Sequence, residues 1–179
     1  ETHVVEWAYL ANPVTENVLG KGARLDRIKA DRESADALHL SHAHVTLSEG
    51  AVLRDFTLSS GARVNRQNGT YVMAGSGAEA RISGSYLLAG RQHADTRLVV
   101  DHQVPHCTSR ELYKCVMDDS ARGIFQGKVM VRKDAQKTDG KQSSHGLLLS
   151  ETAEFDAKPE LEIFADDVVC GHGATSGDL

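Results

Sequence analysis

Cysteine, proline and aromatic residues are all scarce in this 179-residue sequence, and each scarcity excludes something. Three cysteines, Cys107, Cys115 and Cys170, are too few and too odd in number for a disulfide framework. A reducing, cytoplasmic compartment is expected. The three prolines, Pro13, Pro105 and Pro159, are isolated, and no low-complexity stretch marks a linker. One domain over 1–179 is therefore expected, long enough to bury roughly 70% of its unfolded surface. No apolar run reaches the length of a bilayer span, and Glu1–Leu10 lacks the layout of a signal peptide, so no membrane association is expected. The net charge of −5 is spread among interspersed acidic and basic residues, which leaves no basic footprint for nucleic acid. The sequence has no Gly-x-x-x-x-Gly-Lys-Ser/Thr phosphate loop, so ATP hydrolysis by this chain is not expected. Glu1 rather than Met begins the sequence, which leaves open a processed chain or one cut from a longer protein with flanking domains.

What recurs is a small or turn residue, then Ala, then a β-rich run. Examples are Gly22-Ala23, Gly50-Ala51, Gly61-Ala62, Gly77-Ala78, Ser120-Ala121, Asp134-Ala135 and Thr152-Ala153. The small residue suits a tight corner where φ is positive. Between corners the apolar period is mostly two. Phe125, Gly127, Val129 and Val131 alternate with Ile124, Gln126, Lys128 and Met130. The same holds for Leu161, Ile163 and Ala165, and for Ala43, Val45 and Leu47 beside His42 and His44. Each run reads as a strand with one face in a core. Arg110–Met117 is the one helix candidate, with an ambiguous period. The irregular spacing leaves a solenoid and a sandwich or barrel both open.

Several motifs carry chemistry on paper. Gly75-Ser76-Gly77-Ala78-Glu79-Ala80 matches a dinucleotide fingerprint formally, but a β pattern follows where a helix should open, so a corner is expected. Asn68-Gly69 reads as a hairpin turn. His39, His42 and His44 read as histidines on a solvated face, with no acidic partner nearby. Asp101-His102 with Pro105-His106-Cys107 offers a Cys–His pair, yet a corner and a small core thiol explain it more simply. Cys170-Gly171-His172 is the most informative phrase. On an extended strand Cys170 and His172 project from one face, about 6–7 Å apart at the backbone. A thiolate and an imidazole suit iron, zinc or an iron–sulfur cluster, with further ligands supplied from elsewhere.

The second half also carries an ordered set of phrases. They are Gly90-Arg91-Gln92-His93, Asp101-His102, Pro105-His106-Cys107, Ser109-Arg110-Glu111-Leu112-Tyr113-Lys114 and Ala121-Arg122-Gly123-Ile124-Phe125-Gln126-Gly127-Lys128. They continue through Asp134–Asp139, Leu147–Ser150, Lys158–Ile163 and Asp166–Thr175. In these phrases the chain resembles the SufB/SufD family of the SUF iron–sulfur cluster assembly system, on its SufD side. Departures are Gly171 where the family usually has Ser, Cys115 where Gly is expected, and Ser144-His145-Gly146 in place of a more Asn/Arg-like phrase. Cys115 therefore takes no inherited role.

The resemblance implies an all-β fold, a right-handed parallel β-helix with little α-helix. It implies a non-enzymatic scaffold that pairs with a SufB-like subunit through the β-helix. A SufC-like ATPase would dock on C-terminal helices lying, like an N-terminal helical region, outside 1–179. Iron or an iron–sulfur cluster would pass through the full complex transiently, with none resident in the isolated chain. The resemblance further implies that His172 faces a SufB cysteine, with Cys170 beside it. Isolated copies are expected to pair as a homodimer through the exposed strands of 158–175. A rival reading is a β-helical carbohydrate-active enzyme using Asp166 and Asp167, although adjacent strand residues face apart. A third is a stand-alone metal-binding protein.

Overall fold

A computed structural model describes residues 9–178; most of the Glu1–Leu10 stretch and Leu179 lie outside the described residues. The strands are β1 (Leu10–Ala11), β2 (Val14–Leu19), β3 (Arg24–Asp31), β4 (Leu38–Leu47), β5 (Val52–Ser59), β6 (Val64–Met73), β7 (Glu79–Leu88), β8 (His93–His102), β9 (Thr108–Met117), β10 (Arg122–Val131), β11 (Asp139–Leu148), β12 (Glu154–Ile163) and β13 (Val169–Asp178). Among the described residues there is no helix.

From β2 to β11 each strand pairs with the strand two places on, and β1 pairs with β4; all pairings are parallel. One sheet runs β1–β4–β6–β8–β10–β12 with β2 also on β4, and the other runs β13–β11–β9–β7–β5–β3. Successive strands thus belong to opposite walls of a parallel β-helix, and the sandwich and barrel alternatives fall. Registers hold over the strands without a slip, as from Val64↔His93 to Met73↔His102. Inward positions therefore stack into columns such as Val45–Tyr71–Val100–Val129 and Leu47–Met73–His102–Val131. All but His102 are hydrophobic residues at most 3% exposed. Each such large apolar side chain contributes roughly 1.5–3 kcal/mol by leaving water.

The recurring corner has a physical basis. Gly22, Gly50 and Gly77 have positive φ, and each precedes a small residue that ends the corner: Ala23, Ala51 or Ala78. Their carbonyls accept hydrogen bonds from Val52, Glu79 and Thr108 one rung on. His106 takes the same positive φ, and Cys107 occupies the alanine position, its carbonyl accepting from Asp139. Cys107 is fully buried there, which makes it a structural thiol. Gly75-Ser76-Gly77 is likewise a corner.

Three strand-level expectations are corrected. Arg110–Met117 lies in β9, with Glu111, Tyr113, Cys115 and Met117 all buried on the inward face. The acidic member of that inward set blurred the period. Asn68-Gly69 is no turn but the middle of β6. A Cβ on Gly69 would lie 2.8 Å from the Tyr71 ring and 2.9 Å from Leu98, so glycine is there to make room for inward side chains of its own sheet. Finally, β12 stops at Ile163, which is 41% exposed, with no further rung over it among the described residues. In that stretch only Ala165 is buried.

The centre of the lumen is aromatic. Tyr113 meets Tyr86 edge-on at 5.9 Å and lies 4.6 Å from Phe125. Its ring covers Gly84, where a Cβ would come within 2.3 Å of it. Held by both neighbours, the ring has nowhere to retreat. Gly84→Ala is expected to cost at least about 2 kcal/mol in urea denaturation. Gly171→Ala, whose added Cβ would meet nothing within 4 Å, is the control and should be near neutral.

Candidate functional site: the open C-terminal end

β13 is the last described strand of its sheet. β13 pairs with β11 through Val169↔Asp139 to Asp178↔Leu148 and leaves its other edge unpaired among the described residues. Within β13, Cys170 and His172 alternate with Gly171 and share one side. That side points into the lumen. Cys170 continues the column Leu53–Ala80–Ser109–Gly140, and His172 continues Asp55–Ile82–Glu111–Gln142.

Cys170 is half-buried and packs on the small cluster of Val129, Val131, Ala135 and Ala165. Gly140 beneath it matters, since a Cβ there would sit 3.4 Å from both Cys170 Sγ and Val129. Burial pushes the Cys170 thiol up, against a hydrogen bond from the Gly140 backbone that pulls it down. It is a thiol until a cation displaces its proton. His172 is exposed, with Gly171 and Gly173 on either side. The two side chains share a shallow depression with Lys141, Gln142 and Ser143.

Below His172 the lumen turns polar. The Gln142 amide donates to Glu111 Oε2 at 2.7 Å, and both residues are at most 2% exposed. Gln142 reaches across the lumen to Gly127, whose missing side chain leaves the space. Glu111 Oε1, Gln142 Oε1 and Ser144 Oγ are buried without a hydrogen-bond partner. Burial raises the Glu111 carboxyl to about 7, and the Gln142 bond offsets only part of it. These groups are the part of the site that sequence reasoning missed. Their one signal was a polar residue interrupting apolar alternation, as Glu111 does in β9.

A thiol and an imidazole on one face offer two donors of the kind that borderline metals take. Two donors do not close a coordination shell by themselves. The other sequence candidates are not part of this end. Asp166 and Asp167 are exposed in the loop before β13, with Asp167 ion-paired to Lys137. Asp101 and His102 face apart, the first bonded to Arg132 and the second to Ser109. Burial pushes His102 down to about 4, so it is a neutral core imidazole. His42 and His44 are half-buried on the outward face of β4. His39 is a correction: it points inward, is 3% exposed, and has acidic partners in Asp31 and Glu33.

The family model described as "SUF system FeS cluster assembly, SufBD core domain" matches residues 1–179. An iron–sulfur cluster assembly SufBD family protein of Synechocystis sp. is 34% identical over 171 residues, which are 96% of this chain and 38% of that protein. The iron–sulfur cluster assembly protein SufD of Escherichia coli is 36% identical over 157 residues, covering 88% of this chain and 37% of that protein. The Bacillus subtilis protein of the same name is 47% identical over 62 residues, 35% of this chain and 14% of its own length. The chain thus spans less than two-fifths of the length of these curated relatives.

Proposed function

This chain is a SufD-like member of the SufBD core family of the SUF iron–sulfur cluster assembly system, and from that premise we propose that it is a non-enzymatic scaffold on which clusters are built. It pairs with a SufB-like subunit through the open C-terminal end of its β-helix. A SufC-like ATPase supplies ATP hydrolysis and docks on helical segments outside 1–179. Iron and the nascent cluster are cargo at the junction, not resident groups. The working compartment is the cytoplasm.

The observation that carries this reading is the coincidence of two features on β13. An unpaired strand edge invites another strand, and the same strand aims Cys170 and His172 along the lumen-directed side. A cargo held there would be shared by two chains. Pairing of two copies of the isolated chain would use the same edge. The carbohydrate-enzyme reading loses its support, because Asp166 and Asp167 stand on an exposed loop and Asp167 is ion-paired to Lys137.

Co-expression of the full-length protein with SufB-like and SufC-like partners tests the proposal. All three are expected to co-purify, and the anaerobically isolated complex should carry iron and acid-labile sulfide. A full-length protein that purifies alone while the other two associate would overturn it.

A further inference from the structure

At the opposite end of the β-helix, roughly five rungs or about 24 Å from Cys170, four polar side chains converge where the corner between β3 and β4 folds back. Asp31 ends β3, Glu33 lies in the corner, and His39 is the second residue of β4. Asp31 and His39 are each 3% exposed. One ligand atom from each of the three residues lies within 4.8 Å of the other two. His39 Nδ1 is 2.6 Å from Glu33 Oε1, so its N–H donates to that carboxylate and the lone pair rests on Nε2. This pairing orients the ring and aims Nε2 at the cluster, as in metal-binding histidines generally.

The Nε2 lone pair points at a cation. Lys29 Nζ sits 2.8 Å from it, 3.0 Å from Asp31 Oδ2 and 2.9 Å from Ser41 Oγ. The Asp31 carboxylate is held in turn by the amides of Gln67 at 2.7 Å and Asn65 at 3.2 Å. An imidazole nitrogen held by Glu33, a carboxylate held by two amides, and the Ser41 hydroxyl thus converge on one positive charge. That charge does not balance the cluster, since one ammonium faces the two carboxylates of Asp31 and Glu33. Glu33 Oε2 is buried with no partner. Lys29 also borders a partly open cavity of about 60 Å³ shared with Thr15, Thr57 and Tyr71, so its ammonium has space beside the cluster.

We propose that Asp31, His39 and Ser41, with Glu33 orienting His39, form a divalent transition-metal site whose place is held by the Lys29 ammonium in the metal-free protein. The exchange involves no electron transfer. The Nε2 lone pair and an Asp31 oxygen bond the incoming cation, Lys29 leaves as ammonium, and the two carboxylates are then neutralised. Mixed nitrogen and oxygen donors of this kind suit iron(II), cobalt(II) or zinc. The site rests on this chain's own residues and is independent of the pairing proposed at the other end.

Cobalt(II) titration, read by visible absorption and by calorimetry, tests this in a chain carrying Cys170→Ser and His172→Ala together, which removes the donors at the far end. Lys29→Met in that background removes the competing ammonium and should bind one equivalent at least about tenfold more tightly. Adding His39→Gln or Asp31→Asn should abolish that binding, with circular dichroism confirming the β-helix in each variant. Absence of cobalt binding in folded Lys29→Met protein would overturn the proposal. So would binding that survives His39→Gln.

Discussion

Replacing His172 by alanine in the full-length protein is expected to leave the SufB–SufC–SufD assembly intact while cluster content falls several-fold. The two halves of that expectation have separate causes. His172 is exposed on the last strand, between two glycines that offer nothing to pack against, so the fold loses little. Surface substitutions of this kind cost under about 0.5 kcal/mol, and the melting temperature should barely move. The function loses a donor aimed along the lumen-directed side of the unpaired edge. Cys170→Ser should give a smaller defect, because Cys170 also packs on the Val129 cluster and its thiol is held protonated by burial. Iron and acid-labile sulfide in the purified complex are the readout, with size-exclusion chromatography as the assembly control. Wild-type cluster content in the His172 variant would show that the residue is no ligand. A complex that fails to assemble would show that its role is structural.

The parts of the fold that were legible in the sequence are those where a strand is covered on both sides by further rungs. Phe125 to Val131 is the clearest instance: β10 lies between β8 and β12, and its alternation is the alternation of lumen and solvent. The pattern failed at Leu161 to Ala165 for a complementary reason. Residues there alternate as a strand should, but no further described rung covers Leu161 and Ile163, and only Ala165 is buried. Asn68-Gly69 failed because turn chemistry is local, whereas the demand for glycine came from Leu98, across one rung. The C-terminal pair was legible since Cys170 and His172 need only the period of one strand to share a side. The buried groups were not. Glu111 meets Gln142 through a register between β9 and β11, and a separation of 31 residues leaves no short-range trace. Asp31, Glu33 and His39 are close in sequence, yet they converge only because the corner turns β4 back across β3. Histidines 39, 42 and 44 look alike in the sequence, and the pleat sends the first inward and the other two out.

Glu111 sets the largest expected pH effect on stability. Its carboxyl is 2% exposed and raised to about 7, from an ordinary value of 4.5 in the unfolded chain. The cause is burial, with no cation in its column close enough to compensate: Ile82 lies below it and Gln142 above. A raised carboxyl means that the folded protein binds its proton more tightly than the unfolded chain does. The resulting stability is fully present below pH 4.5, declines as pH rises through the window from 4.5 to 7, and is gone above it. Across that window the loss from this one group is about 3 kcal/mol. Glutamine at this position keeps the shape, keeps a carbonyl oxygen to accept from Gln142, and cannot ionise. Glu111→Gln is therefore expected to be close to neutral at pH 4.5 and stabilising by about 3 kcal/mol at pH 8. Urea denaturation of both proteins at several pH values measures this directly, since the difference between the two curves isolates one titration from the rest. If the two proteins keep the same stability difference from pH 4.5 to pH 8, then Glu111 ionises in the fold without penalty. A cation must in that case reach the unpartnered Glu111 Oε1 from within the lumen.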